Sequence, residues 1–87
     1  MYILNGHNMT TREDAWNEIK TVFEAPEWFG NNLDALNDLL GEKQGEIRLT
    51  HACAMLNSLG AYGCRMLSVF YDAAADGYIS FRAGGHE

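Results

Sequence analysis

Pro26-Glu27-Trp28-Phe29-Gly30-Asn31-Asn32-Leu33-Asp34-Ala35-Leu36-Asn37-Asp38-Leu39-Leu40-Gly41 is the stretch that decides how the chain is read. Proline closes whatever helix precedes it, and Leu33, Leu36, Leu39 and Leu40 return to one side of a new helix every three or four positions. Asn31 or Asn32 supplies the N-cap and Gly41 the stop, which predicts about three turns. Asp34 and Asp38, four apart, face outward together on the other side. Like charges at that spacing cost a helix about 0.2–0.5 kcal/mol, and with Gly41 as the stop Asp38 also meets the negative end of the dipole. The carboxylates stand where local rules do not want them.

Upstream, Tyr2-Ile3-Leu4 is a short apolar run closed by Asn5-Gly6, a turn pair, and reads as a strand. Thr10 or Thr11 then caps a helix in which Ala15, Trp16, Ile19, Val22 and Phe23 recur at helical spacing up to Pro26. Downstream, Glu46-Ile47-Arg48-Leu49-Thr50 alternates as a strand. Ala52, Met55, Leu56 and Leu59 mark a third helix ended by Gly60, and Met66, Leu67, Val69, Phe70, Ala73 and Ala74 a fourth ended by Gly77. Tyr78-Ile79-Ser80-Phe81 returns as a strand. Strands separated by helical crossovers are normally parallel, so the expectation is a small α/β domain over residues 1–82, with 83–87 a frayed tail.

Composition bounds the function. The chain has 87 residues, enough for one core and too few for two domains. Twelve Asp and Glu against six Lys and Arg give a charge of −6, the wrong sign for nucleic-acid phosphates or an anionic membrane and the right one for a basic protein. Neither a membrane-length apolar run nor a secretory leader is visible, which points to the cytoplasm. Cys53 and Cys64 lack metal or redox spacing and read as reduced packing thiols. His7, His51 and His86 are placed in no site, and no cofactor is expected.

The fourth helix repeats the misfit. Asp72 and Asp76 are again four apart, and between Thr21 and Gly41 there is no Lys or Arg at all. One account is a pair of solvated helix faces whose small cost is tolerated. The other is an external cation, because a charge-assisted hydrogen bond contributes about 1.5–3 kcal/mol, more than the local penalty. Trp28 and Phe29 sit in a turn segment beside these aspartates, as aromatic anchors do at interfaces, and Gly30 lets a partner approach the backbone. A different class of reading makes Asp34, Asp38, Asp72 and Asp76 hard-cation ligands or acid and base groups of a small hydrolase, although no metal or nucleophile motif accompanies them.

The string Pro-Glu-Trp-Phe-Gly-Asn-Asn-Leu-Asp-Ala-Leu-Asn-Asp at residues 26–38 resembles the central segment of the barstar family, intracellular inhibitors of barnase-type ribonucleases. Leu4-Asn5-Gly6 before it, and Val69-Phe70 with Asp72, Asp76 and Gly77 after it, follow the family's order. The resemblance implies a two-layer domain, a three-stranded parallel sheet with about four helices, whose acidic second helix plugs a ribonuclease active site by phosphate mimicry. It aligns Asp38 with the family's principal aspartate and Asp34 with a second contact residue. Trp28, Phe29, Gly30 and Asn32 align with the loop that packs on the enzyme. Asp72 and Asp76 fall where the family has glutamates, and Asn37 where it commonly has Trp.

These readings together imply a non-catalytic binding protein, monomeric when free. Its partner would be a basic, extracellular-type ribonuclease or a related toxin domain. The partner-binding residues would be Trp28, Phe29, Gly30, Asn32, Asp34, Asn37, Asp38, Asp72 and Asp76. The same module docked on another basic protein is a further reading of the same residues.

Overall fold

A computed structural model describes residues Met1–Glu87. Strand β1 spans Tyr2–Asn5, β2 Gly45–Thr50 and β3 Ile79–Ala83; helices are α1 Arg12–Phe23, α2 Leu33–Glu42, α3 Ala52–Leu59 and α4 Ala61–Ala75. The strands form one parallel sheet in the order β1-β2-β3, with Tyr2 opposite Ile47 and Ile47 opposite Phe81. This is the expected small α/β domain with three parallel strands and four helices.

The strand order explains the layering. Both crossovers step the same way across the sheet, and right-handed connections that step the same way lay their helices on the same face. Leu4, Ile47, Leu49 and Ile79 on that face join Trp16, Ile19, Phe23, Leu36, Leu39, Leu40, Met66 and Phe70 in one core cluster. Ile3, Arg48 and Arg82 point the other way and stay exposed.

Local caps follow the sequence closely at some ends and depart at others. Thr11 Oγ1 accepts from the Asp14 N–H at 3.0 Å and starts α1. Asn5 Oδ1 accepts from the His7 N–H at 2.9 Å, capping a 3-10 turn at Gly6–Asn8 where a simple tight turn was expected. Glu18 accepts from the Asn5 N–H at 2.9 Å and ties α1 to the end of β1. Helix α4 begins at Ala61, a turn before its first predicted apolar position, separated from α3 only by Gly60.

Two ends need correction. Gly41 does not stop α2, which runs on through Glu42 to a C-cap at Lys43. An interior glycine costs a helix only about 1 kcal/mol, and Leu39 and Leu40 bury fully just before it. Residues 84–87 do not stand free: main-chain oxygens of Glu87, Gly84 and Gly85 accept from the N–H groups of His51, Ala52 and Cys53 at 2.9, 2.9 and 3.0 Å. These donors belong to the start of α3, where His51 has φ 51° and makes no side-chain cap. The chain's last residues therefore supply the partners that a helix N-terminus otherwise lacks.

Candidate functional site

Helix α2 packs on α4, and that pairing gathers the carboxylates. Asn32 begins α2 as its N-cap, its Oδ1 accepting from the Ala35 N–H at 2.8 Å, while its Nδ2 donates to the Gly30 carbonyl at 3.2 Å. The amide is thereby spent on holding the turn and the helix start together. Asp34, in the first turn of α2, is well placed against the positive end of the dipole. Because α2 continues past Gly41, the last turn holds Glu42 and not Asp38, so the dipole penalty expected for Asp38 falls on Glu42. The penalty expected for the end of α4 stands, since Asp76 is its C-cap and no basic residue lies in its last turn.

Two open depressions lie side by side on this face. The first, of about 470 Å³, is lined by Leu33, Asp34, Asn37, Val69, Asp72, Ala75 and Asp76. One carboxylate of α2 and both of α4 thus border the same hollow. The second, of about 570 Å³, is lined by Trp28, Asn37, Asp38, Gly41, Glu42 and Tyr78. Asn37 is common to both and forms the saddle between them. Asp34 and Asp38 share the exposed side of α2, as their spacing predicted, but open onto different hollows.

Electrostatically the face has no internal relief. No Lys or Arg lines either depression, and none of the chain's side-chain hydrogen bonds uses Asp34, Asp38, Asp72 or Asp76. No group of three or more His, Cys, Asp or Glu is spaced to hold a metal ion. Unpaired carboxylates on a concave, cation-free surface attract a positively charged group from outside.

The aromatic loop divides between surface and core. Trp28 is 50% exposed and walls the second depression, whereas Phe29 is only 8% exposed and packs edge-on against Trp16 with ring centroids 5.6 Å apart. Phe29 therefore anchors the loop from below and presents little surface to a partner. Gly30 is exposed, and a Cβ there would meet only the Asn32 side chain, at 3.0 Å. Tyr78, Glu42, Leu33 and Val69 line the hollows without having been singled out. Tyr78 is 48% exposed just after the left-handed Gly77, and a large aromatic beside a helix-ending glycine was the signal available.

The chain matches the family model described as Barstar (barnase inhibitor) over residues 1–83. It belongs to the barstar family. No curated protein sequence matches it. The match covers every strand and helix of the fold, so barstar membership applies to the whole sheet and to the acidic helix pair upon it. Asn37 makes the saddle between the hollows polar. Trp28 offers a ring face but no hydroxyl.

Proposed function

We propose that this protein inhibits a basic ribonuclease by seating α2 and the Trp28 loop in the enzyme's active-site cleft, where Asp38 takes the place of an RNA phosphate. The observation that carries the reading is the gathering of Asp34, Asp38, Asp72 and Asp76 on one face that contains no cation of its own. A ribonuclease cleft is built to hold a polyanion, so its Arg, Lys and His side chains supply the missing charges, and charge-assisted hydrogen bonds inside a closed interface are the strong ones. The half-exposed Trp28 provides apolar area beside the ion pairs, and Asn32 and Phe29 hold the loop in shape from within. The protein performs no chemistry; it excludes substrate. Its expected place is the cytoplasm, where it would protect the cell from a ribonuclease destined for outside or from a related toxin domain.

The test is inhibition of a barnase-type ribonuclease by the parent and by Asp38→Ala. Removing one partner of a buried, hydrogen-bonded charge pair costs about 2–5 kcal/mol, mostly through faster dissociation. Inhibition constants that agree for the two proteins would sink the proposal.

A further inference from the structure

The sheet face turned away from the helices carries a like-charged pair of the opposite sign. Ile3, Arg48 and Arg82 are register partners across β1, β2 and β3, and all three are exposed. Arg48 and Arg82 are thus direct neighbours, an arrangement that destabilises a sheet unless a counter-charge is supplied. Neither side chain donates a hydrogen bond within the chain. With Thr50, Ala83, Gly84 and Glu87 they line a depression of about 310 Å³ at the C-terminal ends of β2 and β3.

The walls are fixed by backbone. The Gly84 N–H donates to the Leu49 carbonyl at 2.9 Å, and the bonds from Gly84, Gly85 and Glu87 to the start of α3 hold the last residues in place. Glu87 consequently borders the arginines, while Glu46, the other carboxylate on this face of β2, lies outside the depression. The Thr50 hydroxyl already donates to the Leu4 carbonyl at 3.2 Å, which leaves the two guanidinium groups as the site's side-chain donors.

We propose that Arg48 and Arg82 bind a phosphate dianion, as inorganic phosphate or as a small phosphate monoester, in competition with the side chain of Glu87. Planar guanidinium forks match phosphate oxygens two at a time. Glu87 makes the site selective by charge: a monoanion brings nothing that the chain's own carboxylate does not, whereas phosphate brings nearly twice the charge and three acceptor oxygens. The net charge of −6 repels an extended polyanion and disfavours RNA or a membrane surface here, while one small group facing two arginines is accepted. The site shares no residue with the acidic hollows, so it stands or falls independently of the inhibitor reading.

The experiment is a titration of the full chain followed by arginine side-chain N–H resonances, at low ionic strength and slightly above neutral pH, where phosphate is mostly dianionic. The titrants are inorganic phosphate, O-phosphoserine and acetate. Saturable shifts of Arg48 and Arg82 with either phosphate compound, and none with acetate, support the site, and the tighter of the two identifies the source. Arg48→Gln and Arg82→Gln should each weaken binding about tenfold or more, Arg82→Lys should weaken it by loss of the fork, and Glu87→Gln should tighten it several-fold. All three positions are exposed, and circular dichroism checks that each variant folds. Shifts that do not saturate, that acetate reproduces, or that survive in Arg48→Gln overturn the proposal.

Discussion

Trp28 and Phe29 are adjacent aromatics, and their exposures of 50% and 8% assign them opposite jobs. Truncating the buried ring removes the edge contact to Trp16 and leaves a void, so Phe29→Ala should destabilise the fold by about 3–5 kcal/mol, read as a lower urea midpoint. Trp28→Ala should leave that midpoint nearly unchanged and weaken ribonuclease binding instead. Asn32 is a cap first: Asn32→Ala loses its bonds to Ala35 and Gly30 and should cost about 1 kcal/mol of stability, measured by the same denaturation. A stability loss without any affinity loss would refine Asn32 to a purely structural role. At this scale the sequence was legible for Asp34, Asp38 and Asn32, whose positions follow from helix spacing and capping chemistry. It was silent on Phe29 against Trp28, because a turn segment has no period from which to read which ring goes inward.

Helices α2 and α4 carry like-charged pairs that each helix alone would be better without. Asp72→Asn and Asp76→Asn should therefore raise thermal stability slightly, by a few tenths of a kcal/mol, roughly the 0.2–0.5 kcal/mol of an i,i+4 pair. The same changes should slow association with a basic ribonuclease, seen in stopped-flow binding, because charges at the rim act mainly on encounter. Stability gained while binding is lost is the signature of charge kept for a partner; unchanged association would leave the pair as plain solvated surface. The element boundaries show where local signals give way. Gly77, with φ 84°, stops α4 as predicted, since its N–H and that of Tyr78 donate back to Ala74 and Ala73 in the left-handed capping pattern. Gly41 does not stop α2, because no such pattern forms there and the helix is held by Leu39 and Leu40 in the core.

Taken as one charged body, the molecule separates its signs: acidic hollows on the α2 and α4 side, a pair of arginines on the bare face of the sheet. Association with a basic ribonuclease should be fast at low salt and fall steeply as salt shortens the screening length from about 30 Å at 0.01 M to about 8 Å at 0.15 M, with dissociation much less affected. Kinetics at several ionic strengths check this, and an association rate indifferent to salt would remove steering from the account. The covering of α3 by residues 84–87 also belongs to this scale, since its donors and acceptors come from segments more than thirty positions apart in a chain of 87.

Periodicity, caps and the misplaced aspartates determined from the sequence alone that the chain alternates strands with helices and turns a cation-free acidic side outward, because those features depend on neighbours three or four positions away. The strand order was decided only in three dimensions: stepping β1 to β2 to β3 in one direction puts every helix on one face and leaves Arg48 and Arg82 bare. So was the meeting of Asp34 with Asp72 and Asp76, which lie far along the chain and come together because the apolar sides of α2 and α4 have a shared core to bury against.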